Sequence, residues 1–284
     1  MTLLRSFLFV PGHHARRIAK AFESSADAVI IDLEDAVPAA EKQAARANAA
    51  AAVADHGAPA AFVRVNGAGD AGCLDDLLAV VRPGLAGIVL PKSESAAQLH
   101  ALDWGITHLE ARAGLPGGTV ELLPLVESAR GVERAPALAG CVDRVRRLTF
   151  GVADYSLDLG LHPDPGESGL AYLRARLVHA CRAAGREAPV DSVVVEIRDS
   201  ERLRDSARRA RAAGFGGKLC LHPDQVDVVN EVFGPTPDEL ARARSIVAAY
   251  DAARDRGEAA VTVEGSFVDA PVAERARKLL QRSG

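Results

Sequence analysis

The chain has 284 residues, 48% of them apolar and 25% charged, with a formal net charge of -4. That length exceeds an ordinary single domain, yet α/β barrels of roughly 250 residues form one domain, and mixed Lys, Arg, Asp and Glu leave no basic face for nucleic acid. No stretch approaches the roughly 18 apolar residues of a transmembrane helix and Leu3 to Val10 runs into Pro-Gly without a cleavage site, so a cytoplasmic protein with no membrane or nucleic-acid partner is expected.

Eight short apolar runs follow one another: Ser6 to Val10, Ala28 to Leu33, Ala60 to Val65, Ala86 to Leu90, Glu121 to Val126, Arg147 to Val152, Pro189 to Val195 and Lys218 to Leu221. Between them, His14 to Ser25, Ala39 to Ala54, Leu74 to Val81, Ser95 to Ala111, Leu170 to Ala184 and Ser200 to Ala213 place apolar residues at helical spacing. Strand then helix, repeated about eight times, predicts an α/β fold of the TIM (β/α)8 barrel type. Beyond the last run, Thr236 to Arg256 reads as a long helix and Val272 to Leu280 as another. The expected division is therefore a barrel over 1–234 and a C-terminal helical extension or lid over 235–284. Pro38 and Asp199 or Ser200 are plausible helix-start residues. The four cysteines form no C-x-x-C pair and are read as reduced structural thiols.

Barrels of this kind carry their chemistry on the loops that leave the strand C-termini. The residues just after the runs are Pro11-Gly12, Glu34-Asp35, Asn66, Lys92, Glu127, Asp154 and His222. Asp32, Glu34 and Asp35 crowd three carboxylates into four residues, which calls for a compensating cation, although a solvated loop with Asp35 as a helix cap reads equally well. Glu127 and Asp154 each follow an apolar run, and adjacent strands five and six would set them side by side. Two convergent carboxylates without thiolate or histidine suit a hard divalent ion, most naturally Mg²⁺; neutralisation by an arginine such as Arg130 is the alternative. Arg64 ends run three, where its guanidinium can grip a carboxylate or enolate oxygen, or else pair with Glu34 or Asp35. Lys92 invites a Schiff base, but nearby carboxylates would raise its pKa and work against that. Gly67 to Gly72 matches G-x-G-x-x-G, yet Asp70 sits where pyrophosphate would bind. His13-His14 reads as a helix-start pair whose adjacent side chains diverge.

Taken together, Arg5 to Gly12, Asp32 to Val37, Arg64-Val65-Asn66, Val126 to Val132, Phe150 to Asp154 and Lys218 to Gln225 resemble the citrate lyase β-subunit-like and malyl-CoA lyase family within the HpcH/HpaI aldolase superfamily. The resemblance implies a TIM barrel that binds Mg²⁺ on Glu127 and Asp154 and cleaves or forms C–C bonds in acyl thioesters. It implies substrate contacts from Arg64, Phe9, Lys20, Ala153, Asp154 and Asp32, with Phe9 and Lys20 on the CoA portion. Where many members carry Arg two residues past the Pro-Gly, this chain has His14, which shifts phosphate binding toward Arg16 and Arg17. Gly265 to Pro271 resembles a C-terminal lid whose acid, here Asp269, reaches into a neighbouring subunit of a homo-oligomer, a trimer or hexamer. Arg64, Asp269, Glu34 and Asp35 are thus the expected catalytic set, with Asp32, Glu34 and Asp35 hydrogen-bonding metal-bound water. The implied substrate is malyl-CoA, citramalyl-CoA or citryl-CoA, split into an acetyl thioester and glyoxylate, pyruvate or oxaloacetate. Two other readings stay open: a β subunit acting on citryl-acyl-carrier protein only within a lyase complex, and a non-catalytic thioester or oxo-acid binder.

Overall fold

The computed structural model describes residues 4–55, 59–162 and 164–281. They divide into two compact units, 1–233 and 234–284.

The first unit is a closed eight-stranded barrel in which every neighbouring pair is parallel and the strands follow chain order. Its strands are β1 Ser6–Pro11, β2 Ala28–Asp32, β3 Ala60–Arg64, β4 Leu85–Leu90, β5 Glu121–Val126, β6 Thr149–Phe150, β7 Val190–Asp191 and β8 Gly217–Cys220. The helices between them are α1 Ala15–Phe22, α2 Lys42–Asp55, α3 Gly72–Val80, α4 Ala96–Arg112, α5 Ala129–Glu133, α6 Ala135–Gly140, α7 Val152–Leu159, α8 Ala171–Ala183, α9 Ser200–Ala213 and α10 Val226–Phe233. The expected TIM barrel is therefore the observed fold. Two differences from the expected elements matter. Runs six and seven shrink to two-residue strands, and α7 begins at Val152, so Asp154 rides on the first turn of a helix instead of following a strand. The two short helices α5 and α6, joined at Arg134 with Pro136 in the first turn of α6, occupy a segment for which no helix was expected.

Local signals explain the helix starts. Ser95 and Gln98 form a capping box at α4, Ser128 accepts from the Gly131 amide at α5, and Asp199 accepts from Arg202 at α9. The pair His13-His14 precedes α1, and because neither residue is yet helical the rings do not diverge but pack 3.8 Å apart.

Alternation along the strands makes two cores. Outward residues such as Val29, Ile31, Val63, Ile88 and Leu122 meet the helices, while Phe7, Ile30, Phe62, Val89, Leu123 and Leu125 fill the cylinder. Phe7 and Phe62 meet edge to face at 5.5 Å, and a Cβ at Gly87 would lie 2.3 Å from the Phe62 ring, so only glycine admits that ring there. Below them, Arg147 pairs with Glu121 at 3.0 Å and Glu187 at 2.8 Å. Aromatic packing and this ion pair fill the N-terminal end of the barrel interior.

Strands β7 and β8 also carry buried charges on their helix-facing side, where apolar residues are the rule. Asp191 accepts from Lys218 and, two-pronged, from Arg174 at 2.9 and 3.1 Å; Arg174 reaches on to Glu167 at 2.8 Å. Each charge is matched by a partner, as burial demands.

The second unit contains α11 Pro237–Asp255, the antiparallel pair β9 Val261–Val263 and β10 Ser266–Val268, and α12 Ala270–Gln281. A Thr236–Glu239 capping box starts α11. Tyr250, Val268 and Ala273 form its small core, and Arg277 pairs with Asp251 and lies over the Tyr250 ring. Among the described residues no helix is long and apolar enough to cross a membrane.

Candidate active site

The register of β2 against β3 sets Asp32 directly beside Arg64. Arg64 accordingly grips Asp32 with two bonds, Nε to Oδ1 at 2.8 Å and Nη2 to Oδ2 at 2.6 Å, and its Nη1 lies 2.9 Å from Glu34 Oε2. The amides of Glu34 and Ala36 donate to the same two Asp32 oxygens. The two-pronged edge expected to face substrate is thus held by Asp32, and Glu34 is the secondary partner. Phe9, inward at the end of β1, carries the guanidinium 5.2 Å above its ring. Burial works against the charge of Arg64, but the Asp32 bonds and then Glu34 and Glu127 raise its pKa, so it stays cationic.

The loop after β4 brings the second cation. Lys92 Nζ donates to Glu34 Oε1 at 2.7 Å and lies 3.5 Å from Asp35. Its hydrogen bond to Glu34 raises the Lys92 pKa, which opposes the neutral amine a Schiff base requires. Glu34, although 6% exposed and touching both cations, has a raised pKa because burial outweighs them.

Glu127, one residue beyond β5, is 5% exposed. Its Oε2 accepts the Lys92 amide at 2.7 Å; among the described residues nothing donates to Oε1. A Cβ on Gly151 would stand 2.5 Å from that Oε1, so glycine at the end of β6 makes the space the carboxylate occupies. Burial first, then the charge of Asp154, pushes the Glu127 carboxyl up to about 7, against the Lys92 amide and Arg64. Asp154 is half-buried on the first turn of α7, whose Val152 amide is capped by the Ser192 hydroxyl at 2.9 Å. Among the described residues no side chain pairs with Asp154, and Arg130, the alternative neutraliser, reaches Glu94 at 3.5 Å instead.

Five carboxylates (Asp32, Glu34, Asp35, Glu127 and Asp154) thus share one barrel mouth with two cations, Arg64 and Lys92. The excess of negative charge, the undonated oxygen of Glu127 and the unpaired Asp154 fit a hard divalent cation with most positions left for water and ligand. Among the described residues no group of three or more His, Cys, Asp or Glu forms a closed metal cage. A two-carboxylate site with open positions is what the arrangement can hold.

Lys20 is exposed in the last turn of α1, and Ala153 is exposed beside Asp154 on α7. Asp269 belongs to the second unit, where it accepts from the Val272 amide at the start of α12. His222 caps a single turn at Pro223–Gln225, and Asn66 ties Lys42 to Asp76. In the glycine-rich loop, Asp70 takes the Gly72 amide at 2.6 Å, leaving that donor unavailable to a phosphate. The residues that went unforeseen are Lys42, whose ammonium holds the Leu33 and Glu34 carbonyls at 2.5 and 2.7 Å, and Ser192. A lysine seven residues past an acidic cluster was the available signal for the first. Glu34, Asp35, Lys42, Asn66 and Lys92 line part of a cavity of about 370 Å³ beside the cluster.

Residues 5–223 match the HpcH/HpaI aldolase/citrate lyase family. The chain is 42% identical over 284 residues to the citrate lyase subunit beta-like protein of Deinococcus radiodurans, covering 98% of this chain and 96% of that one. It is 35% identical over 281 residues to the citrate lyase subunit beta of Leuconostoc mesenteroides subsp. cremoris, covering 98% and 93%. The crystal structure of protein CitE from Mycobacterium tuberculosis in complex with magnesium, acetoacetate and coenzyme A aligns with a TM-score of 0.80 at 33% identity, over 99% of this chain and 98% of that one. The chain belongs to the HpcH/HpaI aldolase/citrate lyase family.

Proposed function

We propose that the protein is a Mg²⁺-dependent carbon–carbon lyase that splits a hydroxyacyl-CoA thioester into an acetyl thioester and a 2-oxo acid. The observation that carries this reading is the pairing of Glu127, with one oxygen undonated, and unpaired Asp154 at a barrel mouth already supplied with a fixed arginine. The solved relative that holds magnesium, acetoacetate and coenzyme A supports the choice of metal and thioester.

Glu127 and Asp154 would hold the ion, which acts when bound as a Lewis acid toward the oxygens of the 2-oxo acid. Arg64, always charged and held by Asp32, presents its remaining face to the substrate carboxylate and stabilises charge as it develops on oxygen. Phe9 fixes the height of that guanidinium by packing beneath it. In cleavage a carboxylate at the mouth takes the proton of the substrate hydroxyl as base, the C–O bond becomes the carbonyl of the 2-oxo acid, and the electrons of the broken C–C bond pass to the acetyl thioester as its enolate. Asp269 is assigned the proton that then adds to the thioester methyl carbon, delivered from a neighbouring copy in a homo-oligomer. Glu34 and Asp35, braced by Lys92, complete the polar wall.

The test is a panel of malyl-, citramalyl- and citryl-CoA with the purified chain, with and without Mg²⁺. Turnover that chelator abolishes, with no borohydride-trapped adduct on Lys92, is the expected result; chelator-resistant turnover or a Lys92 adduct overturns it. The 35% identity to a citrate lyase subunit beta favours a second reading, a subunit active only on a carrier-protein thioester in a complex. An isolated chain inert toward every CoA thioester, yet active once the other lyase subunits are added, selects it.

A further inference from the structure

Lys92 has φ +50°, in the left-handed region that a residue with a Cβ adopts only against steric opposition. The chain on either side dictates it. Pro91 precedes it with no amide to donate, the Ser93 amide is bound to the Leu125 carbonyl of β5 at 3.0 Å, and the Ser93 hydroxyl returns to the Leu90 carbonyl at 2.9 Å. Between these fixed points the Lys92 peptide turns its N–H into the barrel mouth, onto Glu127 Oε2 at 2.7 Å, while its side chain runs outward to Glu34, half exposed. A strained conformation maintained by its surroundings and aimed at a buried carboxylate is a candidate device for pre-organisation.

We propose that Lys92 is a positioning residue and that its backbone amide, not its ammonium, does the positioning. The N–H holds one oxygen of Glu127 and so presents the other, Oε1, in the space left by Gly151 as the donor for the divalent cation. This inference rests on the reading of Glu127 as a cation ligand. The left-handed backbone is what holds Glu127, and the Lys92 ammonium, which serves Glu34 and Asp35, is not required for that.

Four variants separate backbone from charge, because all four lose the ammonium. Lys92→Gly and Lys92→Asn accept positive φ readily, whereas Lys92→Val and Lys92→Thr, being β-branched, resist it. The readout is Mn²⁺ affinity of the full-length protein by electron paramagnetic resonance, with circular dichroism confirming folding; Thr serves if Val does not fold. The Gly and Asn variants should bind Mn²⁺ at least as tightly as the parent, and the Val and Thr variants about 10-fold or more weakly than those two, the scale of losing a group that orients a metal ligand. Equal weakening in all four assigns the effect to the ammonium and overturns the proposal, as does unchanged affinity in all four. Glu127→Gln, measured alongside, tests the underlying reading separately: undiminished Mn²⁺ affinity there removes Glu127 from the cation site whatever the Lys92 series shows.

Discussion

Glu127→Gln gives the sharpest test of the electrostatics at the barrel mouth. The carboxyl ordinarily titrates near 4.5 and is pushed up to about 7 by burial and by Asp154. The folded protein therefore binds this proton more tightly than the unfolded chain does, and the associated stability is fully present below about pH 4.5 and lost as pH rises toward 7. At about 1.4 kcal/mol for each unit, the loss across that window is on the order of 3 kcal/mol in the metal-free protein. Glutamine keeps the shape and cannot ionise, so the difference between parent and variant should grow with pH in the variant's favour and level off above pH 7. Urea denaturation followed by circular dichroism, in chelator at steps from pH 4.5 to 8, measures it. Saturating Mg²⁺ should erase the difference or reverse it, since a bound dication compensates the carboxylate that only the parent possesses. A parent-minus-variant stability that stays flat with pH in chelator would refute the reasoning.

Gly151→Ala drives a methyl to within 2.5 Å of Glu127 Oε1 and should rotate the carboxylate off the Lys92 amide. Loss of a charge-assisted bond of about 1.5–3 kcal/mol is expected in Mg²⁺ affinity by calorimetry, and unchanged affinity would show that the cradle is not required. Asp32→Asn removes the charge that Arg64 grips and leaves one acceptor oxygen where two serve, so one Arg64 bond and one of the two amide bonds from Glu34 and Ala36 go with it. Steady-state kinetics should show kcat/KM down about 10–100-fold, in line with the loss of a group that orients a binding residue, and a variant with parental kinetics would detach Asp32 from the site.

The barrel was legible because its parallel strands are buried on both faces, so each leaves a continuous apolar run such as Val29 to Ile31 or Ile88 to Leu90. It was less legible at β6 and β7, where Arg147, Asp191 and Ser192 serve partners in space and blur the strand ends. At the mouth, the crowd of acids and its need for cations could be read from Asp32-Leu33-Glu34-Asp35. Sequence proximity within the acidic cluster points Arg64 to Glu34 or Asp35, although runs two and three are of equal length and, laid side by side, set Asp32 opposite Arg64. Lys92 offered no such clue: a long charged residue carries no preference for positive φ, and its conformation is imposed by Pro91 and by Ser93 pinned to β5. The role of Gly151 was hidden for the same reason, since what it makes room for lies on another strand.

The three acids of the β2 loop acquire a purpose once the cations are counted against them. Arg64 and Lys92 both feel the charge of Glu127, and either, if free to move, could neutralise it and close the site to a metal. Asp32 holds Arg64 with two bonds, and Glu34 draws both Arg64 and Lys92 to itself. Glu127 is left with a neutral amide donor, which directs one oxygen without cancelling the charge. Burial then makes that charge costly enough to lift the carboxyl to about 7, and Asp154 adds to the cost. An anionic pair that no side-chain cation contacts directly among the described residues, in a space that glycine keeps open, is suited to an ion that arrives from solution. By holding Arg64 and Lys92, Asp32 and Glu34 thus leave at Glu127 and Asp154 the uncompensated charge that a divalent ion would satisfy.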